Sequence, residues 1–349
     1  MKLGIWTPLP HTIPAEPRLD AAIADLRTRG VGGEVDRSLQ FAVDVVTRGE
    51  HHGAATTLIA ERFLGPDLEA WMLGAALAGK TRSIELMVAV HPGIVAPQVV
   101  AKMGASLDRI SGGRFAVNIV NGWFEEEFNL FSNGAWLGDE LRRYRRMDEF
   151  IRVMKGLWTE DSFSLDGEFY KVEGGHLPIK TLRTPHPTIY AGSRAGPGRE
   201  IVARECDVWF VAYQPGYGLY EENARGIERG VQEMEARTRA LGRTVGYGIS
   251  AHVICEPTLA AAEARAAALE EYGKKDPVSA VAARALGAGL VGTPHRIAER
   301  IRRYESMGVE TLMLHFHPML AGLETFATEV LPLLTRTDPS PHPMPSTRR

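Results

Sequence analysis

Short apolar runs alternate with longer amphipathic segments over almost the whole chain, and the two patterns predict different elements. The apolar runs are Leu3–Thr7, Thr56–Ala60, Glu85–Val90, Phe115–Val120, Thr188–Ala191, Val208–Ala212, Gly248–Cys255 and Thr311–Phe316. Runs this short and this continuously apolar suit strands buried on both faces. Helix-length segments lie between them: Ser38–His52, Leu68–Gly79, Ala96–Ile110, Leu141–Trp158, Tyr220–Leu241, Leu259–Tyr272, Pro294–Gly308 and Leu323–Thr335. Thr293 reads as an N-cap, with Pro294 as the first helical residue. Ser162–Val172 reads as a hairpin turning at Asp166-Gly167. Eight strands alternating with helices predict an α/β fold, a (β/α)8 TIM barrel with insertions on its catalytic face.

Two segments interrupt the repeat. Residues 10–37 follow strand 1 and so emerge on the catalytic face, as a lid or a subunit contact. Residues 276–289 form a second insertion. The reading is one domain over residues 1–336. In the tail, residues 337–349, Pro339, Pro341, Pro343 and Pro345 predict disorder outside the fold.

Composition narrows the class. A chain of 349 residues, 44% hydrophobic and 24% charged, holds one large barrel or two ordinary domains. A net charge of −3 argues against nucleic acid or an anionic membrane as partner. Two cysteines, Cys206 and Cys255, suggest a reducing compartment, hence a cytoplasmic protein. The apolar run at the N-terminus is too short for a signal peptide, and no apolar run reaches the ~18 residues of a membrane span.

Candidate chemistry gathers where strands end. Gly192-Ser193-Arg194-Ala195-Gly196-Pro197-Gly198 follows strand 5 and opens a helix. Free backbone N–H groups and the positive end of the helix dipole suit a phosphate there. The spacing is neither GxGxxG nor a Walker loop, so it names no nucleotide class, and an ordinary tight turn explains it equally well. His91 ends strand 3 and His252 lies in strand 7, both placed to enter the barrel mouth. Asn118 and Asn121 stand near the end of strand 4, where buried amides need partners; Asn121-Gly122 also reads as a turn. His315 and His317 flank Phe316 at the end of strand 8, facing the site or not. Glu125-Glu126-Glu127 reads as the solvated face of a short helix, and Arg142-Arg143-Tyr144-Arg145-Arg146 as a mostly solvated face interrupted by Tyr144. The absence of HExxH, GxSxG and close carboxylate pairs argues against hydrolase and metal chemistry, and no metal site is expected.

As a set, VAVHPGIVAP, SLDRISGGRFAVNIVNGW, RRYRRMDEFIRVMKGLW, FYKVEG, RTPHPTIYAGS, GLVGTPHRIAERI and LETFATEVLPLL resemble the bacterial luciferase-like flavin monooxygenases. The resemblance runs in one order from about Ala54 to Leu334 and is closest to dimethyl sulfone and alkanesulfonate monooxygenases, with a C-terminal likeness to pyrimidine oxygenase. It implies a two-component monooxygenase. Reduced FMN (FMNH2) comes from an NAD(P)H:flavin reductase, O2 is the co-substrate, and a flavin peroxide oxidises a small organosulfur substrate, a sulfone or sulfonate. It further implies a homodimer or homotetramer. Carried over by position, Gly192, Ser193, Arg194, Ala195 and Gly196 would hold the FMN phosphate, with Tyr144 reaching it. Asn121 and Asn118 would lie near the flavin ring, and His252, His91 and Asn118 would be the catalytic candidates. The chain departs from the sulfonate enzymes at Ser250, where they have arginine, and at Gly65-Pro66, where they have cysteine; Pro197 lengthens the phosphate loop. A deazaflavin-dependent hydride-transfer enzyme and a non-catalytic flavin-binding barrel are the alternatives on the same fold.

Overall fold

The computed structural model describes residues 1–9, 37–65, 67–122, 124–132, 136–275 and 285–335. The insertion at 10–36, most of the second insertion (276–284) and the tail from 336 lie outside the described residues. In chain order the strands are β1 (Lys2–Trp6), β2 (Thr56–Ile59), β3 (Glu85–Val90), β4 (Phe115–Ile119), β5 (Phe163–Asp166), β6 (Lys171–Gly175), β7 (Thr188–Gly192), β8 (Val208–Phe210), β9 (Gly246–Cys255), β10 (Val291–Gly292) and β11 (Thr311–Phe316). β5 and β6 form the expected antiparallel hairpin, with Asp166 opposite Lys171. Eight parallel strands run β11-β1-β2-β3-β4-β7-β8-β9, and β9 pairs with both β8 and β11, closing the ring. The barrel expected from the apolar runs is therefore the fold. β3 and β11 match their runs residue for residue.

The helices are α1 (Arg37–His51), α2 (Ala70–Ala78), α3 (Pro97–Ser111), α4 (Glu125–Phe131), α5 (Glu140–Thr159), α6 (Gly196–Glu205), α7 (Tyr220–Ala240), α8 (Leu259–Lys275), α9 (Pro294–Ser306), α10 (Met319–Thr325) and α11 (Leu331–Thr335). The last expected helix is split: a π-helical turn, Phe326–Val330, separates α10 from α11. Thr293 stands at the N-cap of α9 but makes no side-chain capping bond; the fixed φ of Pro294 starts that helix instead. The end of the second insertion is part of the wall: Leu286, Gly287 and Ala288 are buried in a 3-10 turn. Among the described residues no helix is long and apolar enough to cross a membrane.

The core has two layers. Leu58, Met87, Ala116, Tyr190 and Met313 pack together with Trp6, Val208 and Phe210. A larger layer, including Val45, Phe115, Phe150, Ile249 and Ile301, lies between the sheet and the helices. Side chains alternate along a strand, so the smaller cluster marks the barrel interior. Below it the N-terminal end is sealed by polar groups. Lys2 Nζ donates to Glu85 Oε1 at 2.9 Å and to the Tyr190 hydroxyl at 2.9 Å. The Tyr190 hydroxyl donates to Glu85 Oε1 at 2.8 Å, and Arg183 Nη1 donates to Glu85 Oε2 at 2.7 Å. Burial works to raise the Glu85 pKa, but Lys2 and Arg183 hold it below its ordinary value. Ligand chemistry is left to the C-terminal end of the strands.

Candidate functional site

Alternation from the interior cluster settles which strand-end side chains face inward. From Met87 the inward positions run to Ala89 and His91; from Ala116 to Asn118; from Tyr190 to Gly192; from Met313 to His315 and His317. His315 lies opposite His252 in the β11–β9 register, so both enter the barrel from neighbouring strands. Asn118 pairs in register with Ala89 on one side and Tyr190 on the other, and is partly exposed. His91 is buried just beyond β3, edge-on to the Phe63 ring at 6.1 Å between centroids. Asn121 lies past β4 at a tight turn: Gly122 N–H donates to Val120 O at 2.8 Å, and Gly122 has φ +67°. A side chain at residue 122 would also collide with Phe128, so the turn reading of Asn121-Gly122 holds.

The glycine-rich loop after β7 joins a buried hydroxyl pair to a helix start. Ser193 is buried, and its Oγ lies 3.2 Å from the Tyr144 hydroxyl of α5. Trp209 Nε1 donates to Ser193 O at 3.3 Å and fixes the loop from behind. No side-chain cap occupies the N-terminus of α6. A Cβ at Gly198 would come within 2.1 Å of Ser193 Oγ and 2.4 Å of Tyr144 Cε1. Glycine is thus what lets helix, serine and tyrosine converge, and buried hydroxyls beside helix-start amides form an anion cradle. Arg194, expected to help there, donates from Nη2 to Tyr213 O at 2.8 Å. It walls a cavity of about 380 Å³ beside the cradle, with Ser193, Arg199, Trp209, Tyr213 and Asn223.

Across the mouth three imidazoles meet. His315 Nδ1 lies 3.1 Å from His252 Nε2, with ring centroids 4.6 Å apart. The His317 ring is 6.0 Å from that of His252, and the Trp6 ring 6.4 Å from that of His315. Burial, then the neighbouring His252 and Arg265, push the His317 pKa down to about 3, so it is neutral at physiological pH. His315 and His317 therefore share one inward face, with Phe316 on the other. Among the described residues no group of three or more His, Cys, Asp or Glu side chains could hold a metal ion.

Two charged stretches expected on solvated faces are partly internal. Glu125 and Glu126 are exposed, but Glu127 is 1% exposed and its Oε1 lies 2.7 Å from Arg62 Nε. The Arg62 guanidinium also lies over the Phe124 ring, 3.5 Å from its centroid. On α5, Arg145 is exposed while Arg146 is 5% exposed, its guanidinium 5.2 Å from the Phe128 centroid. Burial lowers the Arg146 pKa. Beside them Glu61, two residues past β2, accepts the Ala70 N–H at 2.9 Å. Burial, with Glu69 and Asp67 nearby, raises its pKa to about 7. The composition of these runs gives no signal of burial; the aromatic residues Phe124 and Phe128 beside them are the nearest hint.

The family profile described as luciferase-like monooxygenase matches residues 21–311. The chain is 33% identical over 296 residues to an FMNH2-dependent dimethylsulfone monooxygenase of Pseudomonas putida, covering 76% of this chain and 78% of that protein. A Pseudomonas fluorescens protein of the same description is 31% identical, covering 74% and 76%. Among solved structures, an EDTA monooxygenase from a Chelativorans species superposes with a TM-score of 0.74 at 18% identity, covering 96% of this chain and 93% of that one.

Proposed function

Because the chain belongs to the luciferase-like monooxygenase family, we propose that it is an FMNH2-dependent monooxygenase that uses O2 to oxidise a small organosulfur compound, a sulfone in the first instance. The carrying observation is the cradle at Tyr144, Ser193 and Gly198: two buried hydroxyls 3.2 Å apart at an uncapped helix start, with no room for a side chain at residue 198. That donor set fits the phosphate monoester of FMN. Ser193, Tyr144 and the backbone of Gly192, Ala195 and Gly196 would hold the phosphate. Asn118 and Asn121 would lie toward the ring, and Arg194 would close the outer side. Bound there, the reduced flavin supplies the activation of O2.

The protein's own part is to orient, exclude water and manage protons. His252 is fully buried and His91 nearly so, which keeps bulk water from both. Asn118, His91 and His252 lie on inward-facing positions of three strands, where they would meet a polar substrate oxygen. Ser250, two residues before His252 on the same face of β9, is uncharged, and its carbonyl accepts the Tyr213 hydroxyl. A wall of amide, hydroxyl and imidazole groups favours a neutral sulfone over a sulfonate anion, in keeping with the dimethylsulfone relatives.

The same reading includes one domain over residues 1–336, reduced flavin delivered by a separate NAD(P)H:flavin reductase, and a cytoplasmic setting that suits the free thiols Cys206 and Cys255. It also includes a homodimer or homotetramer, supported by exposed Met72 on α2 and exposed Val99 and Ile110 on the adjoining α3. O2 uptake and product formation from dimethyl sulfone with reduced FMN test the function. Hydride transfer without O2 uptake would replace it with a dehydrogenase.

A further inference from the structure

We propose that His315 is a positioning residue for His252: the contact between His315 Nδ1 and His252 Nε2 fixes the tautomer in which His252 meets ligands at the barrel mouth. This rests on the reading of His252 as a group that faces the substrate. Two imidazoles share a 3.1 Å contact only when one N–H donates into the lone pair of the other. The two rings must therefore hold complementary tautomers. If His315 donates, His252 carries its proton on Nδ1; if His252 donates, it carries the proton on Nε2 and His315 accepts.

The arrangement is fixed by the fold. Parallel pairing sets residue 315 opposite residue 252, which neither strand alone determines. His252 is 0% and His315 4% exposed, so solvent does not compete for the contact. Among the described residues, the titratable and charged groups near the pair include His317 just past β11, Tyr213 after β8, and Arg265 on α8. His317 is neutral through burial. The Tyr213 hydroxyl donates to Ser250 O and its pKa is raised by burial. Arg265 is tied to Glu256 at 2.7 Å. A proton on all four nitrogens of the pair would set two N–H groups against each other, so the pair holds at most one extra proton while the contact lasts. Protonation of one ring is thereby coupled to that of the other.

Histidine-15N spectra of the full-length chain without flavin read tautomer and titration directly. Wild type should show complementary tautomers at residues 252 and 315. In His315→Leu, His252 should lose its single tautomer and shift its titration. With dimethyl sulfone and reduced FMN, kcat should fall at least about 10-fold, a fraction of the 10²–10⁴ typical of a proton-handling group, while the Kd for reduced FMN stays unchanged. His315→Asn, which presents an amide near the place of Nδ1, should restore the single tautomer and most of kcat. An unchanged His252 tautomer and titration in His315→Leu, or an unchanged kcat, overturns the proposal. Wild-type protein that takes up no O2 with reduced FMN overturns the functional reading instead, and the spectra still decide the pairing.

Discussion

Arg62 Nε lies 2.7 Å from Glu127 Oε1, joining the segment after β2 to α4, with the Phe124 ring lying over the guanidinium. Glu127 is almost wholly buried, so its removal leaves Arg62 with an uncompensated charge in an apolar setting. Breaking such a pair costs about 3–5 kcal/mol. Glu127→Ala should lower the unfolding free energy in urea by about 3 kcal/mol; a loss under about 1 kcal/mol would mean that Arg62 finds water or another anion.

Gly198 should be as sensitive as the hydroxyls it touches. Gly198→Ala places a methyl group against Ser193 Oγ and Tyr144 Cε1, and Ser193→Asp sets a negative charge against phosphate. Each should weaken reduced-FMN binding at least about ten-fold, the worth of one charge-assisted hydrogen bond. Anaerobic fluorescence titration measures this. Wild-type affinity in Ser193→Asp would move the phosphate elsewhere.

Glu61 gives the stability curve a slope near neutrality. Its pKa rises from 4.5 to about 7 on folding, so between those values the folded chain binds more protons than the unfolded one. That term therefore favours folding below pH 4.5 and fades as pH rises to about 7. Glu61→Gln keeps an acceptor for the Ala70 N–H and removes the charge. It should be more stable than wild type at pH 8, by on the order of 3 kcal/mol at most, with the advantage vanishing toward pH 5. Parallel denaturation curves at the two pH values would show otherwise if the gap does not change.

His317 acts with the opposite sign. Its pKa falls from 6.5 to about 3 on folding, so below pH 6.5 the unfolded chain takes up a proton that the folded chain refuses. Stability from this site is complete above pH 6.5 and drains away as pH falls toward 3. His317→Gln should flatten the acid limb of Tm against pH between pH 6 and 4. An acid limb as steep as that of wild type would place the acid sensitivity in other groups.

The exposed apolar residues of α2 and α3 make the subunit arrangement testable. If the proposed oligomer forms through this face, Val99→Glu combined with Ile110→Glu should give a monomer in light scattering where wild type gives a larger mass. A mass that is unchanged by the pair of substitutions would put the interface on another face.

The barrel was legible because its strands are buried on both faces and read as apolar runs, as at β3 and β11. The glycine-rich turn from β7 into α6 was legible because glycines and a proline after an apolar run mark the start of a helix. What pairs between neighbouring elements was not. His252 and His315 are 63 positions apart, and their contact depends on the register of β9 against β11. Tyr144 and Ser193 meet because α5 packs beside α6, a relation no local spacing encodes. Glu127 and Arg146 look like surface charges in the sequence, since burial of a charge depends on partners brought by other elements: Arg62 for the one, the Phe128 ring for the other. The charge of Arg194 is visible in the sequence, but its hydrogen bond to Tyr213 O depends on the packing of the segment after β8.

The ionic floor formed by Lys2, Glu85, Arg183 and Tyr190 shuts the N-terminal end of the barrel, so among the described residues the C-terminal ends of the strands are left as the doorway. If flavin is exchanged at each turnover, as proposed, spent cofactor, product, fresh cofactor and substrate would share that threshold. Turnover in such a barrel is a matter of sequence as much as of chemistry: an over-supply of one visitor blocks the exit of another, and saturating cofactor should inhibit.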